Sequence, residues 1–245
     1  NTSLRIRGTD ATRINVTLNG MPLNNPESQE VYWVNLPDLS SSLQSIQVQR
    51  GVGTSTNGSA AFGASMSLKT VGATSSPYVE ASTAVGSYGT FSSSIAAGSG
   101  ILSNGLALDA RYSKVLSDGY IRNGMVDHTN IFASLSHYSN KQLLRLSYIN
   151  GVQHTGITWN GASPEDIKEY GRKFNSAGMY KDDVGNIRYY DNDTDNYYSN
   201  ILQLMLSREL TDRLSLNVSL SYTNGYGYYE NYRAGDKMIK GDKYS

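Results

Sequence analysis

From Tyr78 onward the chain alternates apolar and polar residues with a period of two, and this pattern restricts the fold more than any other feature. A two-residue period is that of strands with two unlike faces. In 214–223, Leu214, Leu216, Val218, Leu220 and Tyr222 share one face, while Ser215, Asn217, Ser219, Ser221 and Thr223 share the other. In 105–116, Leu106, Leu108, Ala110 and Tyr112 oppose Asp109, Arg111 and Ser113. In 142–148, Leu144, Leu146 and Tyr148 oppose Arg145 and Ser147. In 198–209, Leu202, Leu204 and Leu206 oppose Gln203 and Ser207, with Ile201 and Met205 as exceptions. Weaker alternation predicts further strands at 78–86, 90–99 and 129–138.

The connections also alternate. Short turns follow 90–99, 129–138 and 198–209, whereas longer polar stretches occupy 117–128 and 154–197, and another begins near 225. The short connection around Gly86–Gly89 is the exception. Strands of roughly ten residues, with short turns at one end and long loops at the other, describe the wall of an outer-membrane barrel. A soluble antiparallel sheet with one wet face predicts the same alternation. It predicts neither tyrosines at the strand ends (Tyr112, Tyr148, Tyr197, Tyr198, Tyr222) nor so long a polar connection. Tyr outnumbers Phe by 19 to 4, which suits a surface apolar on one side and wet on the other. No apolar run reaches the length of a membrane-spanning helix. The 21 basic and 21 acidic residues balance, which gives no footing for nucleic acid. The lack of cysteine excludes disulfides and thiolate metal sites.

Residues 1–70 are of another kind, with short apolar runs between Gly, Pro and Asn turns, and 71–77 (VGATSSP) reads as a linker. Four motifs follow in order: Ile6-Arg7-Gly8, Asn19-Gly20-Met21-Pro22-Leu23, Val48-Gln49-Arg50-Gly51, and Gly58-Ser59-Ala60-Ala61-Phe62-Gly63 running to Lys69-Thr70. This succession resembles the plug domain of TonB-dependent outer-membrane receptors. Asn19 stands where that pattern usually has Asp, Asn57 where it has Tyr, and Ala64 where it has a second Gly. The segments 156–197 and 219–233, the latter containing YTNGYGYYE, are similar to receptors of the Bacteroidetes type.

The resemblance implies an all-β chain, part of a transmembrane antiparallel β-barrel of about 22 strands, with the C-terminal part of an N-terminal plug domain. It assigns 1–70 to the plug, 71–77 to the linker and 78–245 to the first strands of the wall, about seven of them. So short a wall cannot close, and its edges would expose unpaired backbone, so a fragment of a longer receptor is expected. The implied function is high-affinity binding and energised import of a scarce ligand across a Gram-negative outer membrane. Siderophore-bound iron, haem, cobalamin, and oligosaccharide or peptide ligands all remain open. The implied partners are the TonB–ExbB–ExbD complex, acting through a segment not present here, the small-molecule ligand and outer-membrane lipid. A passive porin or surface adhesin is the alternative, although a passive pore needs no inserted plug.

The glycine-rich stretch 49–63 contains Gly51, Gly53, Gly58 and Gly63. It lacks the Lys of a phosphate-binding P-loop and runs into strand-like sequence, so its glycines, with Gly8 and Gly20, read as tight turns and close backbone approaches. The three histidines, His128, His137 and His154, form no catalytic or zinc pattern, and no enzyme, metal centre or cofactor is expected. Asp191, Asp193 and Asp195 have the first spacings of an EF-hand, but Asn196 and Leu202 replace its Gly and Glu. The cluster reads as a solvated loop, with an irregular calcium loop as the other reading. Candidate ligand contacts are Asn24, Asn25, Glu30, Tyr32 and Trp33 beyond the Asn-Gly turn, the Ser55, Thr56, Asn57 tip, and Trp159 in the long connection.

By resemblance, Arg7 and Arg50 latch the plug to wall glutamates expected beyond Ser245. Breaking such a pair leaves an uncompensated charge. Arg50→Ala in the complete receptor is therefore expected to loosen the plug. Unchanged plug proteolysis and unchanged passage of large antibiotics would remove Arg50 from that role.

Overall fold

A computed structural model describes residues 4–51 and 63–232. The N-terminal part builds a four-stranded sheet from β1 (Ile14–Leu18), β2 (Met21–Pro22), β3 (Leu43–Arg50) and β4 (Ala64–Thr70), in the order β2-β1-β4-β3. β1 and β4 run parallel and the other pairs antiparallel. Asn19 and Gly20 connect β1 to β2 with φ of 53° and 82°, the left-handed pair a two-residue hairpin turn requires. Gly63 is set by close approach instead, since a Cβ there would lie 2.6 Å from the Thr9 hydroxyl.

The rest forms one seven-stranded antiparallel meander: β5 (Tyr78–Val85), β6 (Phe91–Gly98), β7 (Leu106–Ser117), β8 (Val126–Ser139), β9 (Gln142–Gly156), and then, past the long loop, β12 (Thr194–Thr211) and β13 (Leu214–Glu230). The loop between β9 and β12 carries α1 (Pro164–Tyr170) and a small hairpin of β10 (Met179–Lys181) and β11 (Ile187–Tyr189). The seven strands are those the alternation predicts, but the later ones are longer. β8, β9, β12 and β13 have 14, 15, 18 and 17 residues, so they run past the roughly ten needed to cross an apolar layer. No loop begins near 225, because β13 continues to Glu230 against β12.

That extension changes the reading of the tyrosines. Tyr112, Tyr148 and Tyr222 stay on the outward face and are exposed, but they sit inside their strands. Past Tyr148 the outward face turns polar. Asn150 donates to Asn200 at 3.0 Å, with Asn224 opposite Asn200, and farther along Lys114 pairs with Asp127. The tyrosines therefore border an apolar belt of Leu108, Leu135, Leu146, Leu204 and Leu220, as interfacial aromatics do. Tyr197 does not belong with them. It has the inward parity of Ser199, Ile201 and Gln203, opposite to Tyr198.

The inner face is largely polar, and one rung of it carries three large apolar side chains. Phe132, Ile149 and Ile201 are direct neighbours across β8, β9 and β12, and each is at most 3% exposed. They complete the core of the N-terminal sheet, packing with Ile14, Val16, Leu18, Leu39, Ala64 and Leu68. Ile201, an exception to the alternation, is apolar because it faces this core instead of water. One residue farther up the inner face, Gly151 leaves room for the N-terminal part to settle. A Cβ there would stand 2.7 Å from Pro37 Cδ and 2.8 Å from Ser199 Oγ. Gly151→Ala is expected to weaken this docking by about 1–3 kcal/mol. Faster proteolysis of the N-terminal part, with the heat-dependent gel mobility of the intact barrel unchanged, is the measurement. Equal proteolysis would show that the close approach carries no energy.

Candidate ligand-binding site

The segment between β2 and β3 forms the upper edge of the N-terminal sheet. β2 ends after two residues, and the side chain of Asn24 continues the pairing that the backbone gives up. Its Oδ1 accepts from Val16 N at 2.7 Å, and its Nδ2 donates to the carbonyls of Ile14 and Gln29, both at 2.9 Å. Asn25 Oδ1 likewise accepts from Glu27 N and Ser28 N. These two amides shape the loop and have little left for a ligand. Tyr32 is 44% exposed, whereas Trp33 opens a short 3-10 turn and packs on the apolar core.

Two cavities separate this segment from the large sheet. The first, about 380 Å³, is lined by Asn24, Asn25, Glu30 and Tyr32 and closed on the other side by Tyr197 and Ser199 of β12. The second, about 320 Å³, brings Trp33 and Trp159 together with Asp38, His128 and Asp195. Of the candidate ligand residues, four share one cavity and both tryptophans share the other. Ser55, Thr56, Asn57 and Gly58 lie outside the described residues. Tyr197, His128 and Asp195 are contributions that the sequence reading missed. Parity held the signal for Tyr197, since Leu202, Leu204 and Leu206 point out and the odd-numbered neighbours must point in.

The long loop above these cavities is anchored. Asn175 Nδ2 donates to the carbonyls of Arg122 and Ile157 at 2.9 and 2.7 Å, and Arg122 Nη1 donates to Ala177 O at 3.1 Å. The Arg122 guanidinium lies 3.5 Å from the centre of the Tyr189 ring. Tyr190 stacks on Tyr232 with 4.5 Å between ring centres, and Trp159 meets Tyr229 edge-on at 5.9 Å. The expectation of a solvated loop at 191–196 needs correction. Only Asp191 and Asn192 are open, because Asp193 is fully buried and β12 begins at Thr194. Asp193 Oδ1 accepts from Tyr232 N at 3.0 Å, and Asp195 Oδ2 accepts from Gln153 at 2.9 Å. The described residues hold no group of three or more His, Cys, Asp or Glu side chains placed to bind a metal.

Polar contacts tie the two sheets together. Asn19 Nδ2 donates to Gln203 Oε1 at 2.8 Å, and Gln203 Nε2 donates back to Leu18 O at 3.2 Å. Arg111 lies 3.5 Å from Asp38, and Arg145 donates to the carbonyl of Val71 in the linker. These cations belong to the large sheet and their partners to the N-terminal part, the reverse of the polarity expected for Arg7 and Arg50. Both of those arginines are exposed, Arg7 at a φ of 52° and Arg50 at the end of β3, with no acidic partner among the described residues.

Residues 1–65 match the family model described as TonB-dependent Receptor Plug Domain. The N-terminal segment is a TonB-dependent receptor plug domain. No curated protein matches the chain. Among solved structures, the siderophore receptor PiuA from Acinetobacter baumannii is similar, with 17% identity and a TM-score of 0.65 over 91% of this chain and 30% of its own. The ferric-catecholate import receptor Fiu from E. coli K12 gives 14% identity and a TM-score of 0.67, covering 93% and 34%. The ferripyoverdine receptor of the Pseudomonas aeruginosa outer membrane gives 12% and 0.69, covering 96% and 31%. At these identities the likeness is one of fold, and this chain spans about a third of the length of each. The shared fold includes the large sheet, which is thus a stretch of barrel wall with the plug on its inner face.

In the outer hairpin, Asp182 accepts from Asn186 N at 2.8 Å and Val184 N at 3.1 Å, and it pairs with Arg188 at 3.1 Å. These bonds, that of the Asn186 backbone foremost, hold its carboxyl below the usual carboxylate range. A lowered native pKa means that the stabilisation is present above the ordinary value and is lost as pH falls through the native one. The hairpin is therefore expected to keep its order at neutral pH and to loosen only in acid. Asp182→Asn should speed amide exchange at Val184 and Asn186 at neutral pH and remove the acid transition. An unchanged transition in that variant would assign it to another group.

Proposed function

We propose that this chain is part of an outer-membrane receptor that binds a scarce small molecule above its plug and imports it when the TonB–ExbB–ExbD complex draws on that plug. The supporting observation is a plug domain whose core is completed by the wall. Phe132, Ile149 and Ile201 close over the sheet of β1 and β4, so the inner face of the wall is covered by a folded body. A passive pore has no use for one. The mechanism involves no covalent step: the ligand settles between plug apex and wall, the outer loops close around it, and the plug rearranges to let it pass.

The two cavities support a ligand held by aromatic and carboxylate groups, with Tyr32, Trp159 and Glu30 offering surface and Asn24 and Asn25 giving shape. Siderophore-bound iron is the first ligand to test, because the similar receptors include a siderophore receptor and a ferric-catecholate import receptor. Haem and cobalamin are the other arms. The test is growth of a deletion strain carrying the complete receptor, on each ligand as sole source, with and without a functional TonB. Uptake that persists without TonB would overturn energised import and favour a passive pore. Tyr32→Ala and Trp159→Ala are each expected to weaken ligand binding by about tenfold or more, the scale of aromatic anchors at binding sites. Full affinity in both variants would move the site away from these cavities.

A further inference from the structure

We propose that Asn19 and Gln203 form a neutral, resealable latch between plug and wall. Asn19 stands in the corner between β1 and β2, at a φ of 53°, and its amide oxygen is engaged inside the plug. Its Oδ1 accepts from Thr70 N at 3.0 Å and Thr70 Oγ1 at 3.1 Å, which fastens the end of β4 to the hairpin. That leaves its Nδ2 to face outward, where it donates to Gln203 Oε1 at 2.8 Å. Gln203, 1% exposed, returns a bond from Nε2 to Leu18 O at 3.2 Å. Two side chains thus close a reciprocal pair of hydrogen bonds between the hairpin and β12.

The pair requires an amide at position 19. An aspartate at 19 would still serve Thr70, but it has no donor for Gln203. Turning the Gln203 amide around would feed the carboxylate and set Oε1 against Leu18 O, so an acceptor meets an acceptor in either orientation. On the import reading, on which this part of the proposal rests, neutrality also suits a contact that opens and re-forms. Separating Arg111 from Asp38, or Arg145 from Val71, exposes a charge to loss of its partner, whereas separated amides lose ordinary hydrogen bonds that water replaces.

The latch is tested on the complete receptor without ligand or uptake, so its failure is distinct from failure of the import reading. Gln203→Leu lies on the wall and touches none of the plug's own hydrogen bonds. It is expected to speed exchange of the Thr70 and Asn19 amides about tenfold, the effect of losing a buried hydrogen-bonded pair. Asn19→Gly keeps the left-handed corner accessible and removes the amide. The double variant should then be no worse than the more damaged single, as for two halves of one contact. Should Gln203→Leu fail to assemble, judged by loss of heat-dependent gel mobility, Gln203→Met keeps the unbranched shape of the side chain and removes both of its hydrogen bonds without adding a charge. Exchange at Thr70 unchanged in the assembled wall variant, or effects of the two singles that simply add, would overturn the latch.

Discussion

One apolar rung on a largely polar inner face holds the arrangement together. Phe132, Ile149 and Ile201 lie side by side on three neighbouring strands, and nothing on their own sheet shields them from the lumen. Each is worth about 1.5–3 kcal/mol when buried, and only the plug buries them. The dependence is mutual. Ile14, Val16, Leu18 and Leu68 form a layer too thin for a core of their own, and the rung supplies the missing side. The cavities, the latch and the outer loops all take their positions from this contact.

Above and below the rung the contact becomes polar and specific. Gly151 lets Pro37 approach, which places the Trp33 turn against β9 and β12 and creates the two cavities on either side of it. Below, Gln203 follows Ile201 on the same face of β12 and meets the Asn19 corner. Hydrophobic burial supplies most of the attachment, and directional bonds choose the register. The outer loops follow the same division. Ile157 and Ala177 are buried, while Asn175 and Asp193 fix which backbone groups meet.

Much of the wall was legible because strand faces follow parity. Leu202, Leu204 and Leu206 point to one side, and that decides the direction of Ser199, Ile201 and Gln203 with no further information. The motif order of the plug was equally plain. What escaped was the length of the strands, because β12 and β13 go on pairing through residues such as Asn196, Tyr197, Tyr226 and Gly227 that carry no alternation. Backbone pairing across a long register stabilises them regardless. The reading of 191–196 failed for the same reason: Asp193 and Asp195 look like loop residues until β9 and β13 are brought alongside.

The sequence by itself determined a chain of strands with one apolar face, a glycine-turned plug in front of them, and a set of aromatic and amide residues available for a ligand. These are local properties of period, turn chemistry and motif order. The tertiary structure alone decided which residues come together: Asn19 bonds Gln203, Asp38 pairs with Arg111, and Trp33 and Trp159 line one cavity. Those pairs join positions far apart in the chain, and what brings them together is the seating of one sheet on a single rung of another. A period of two cannot specify that seating, because it records which face a side chain takes and not what lies opposite.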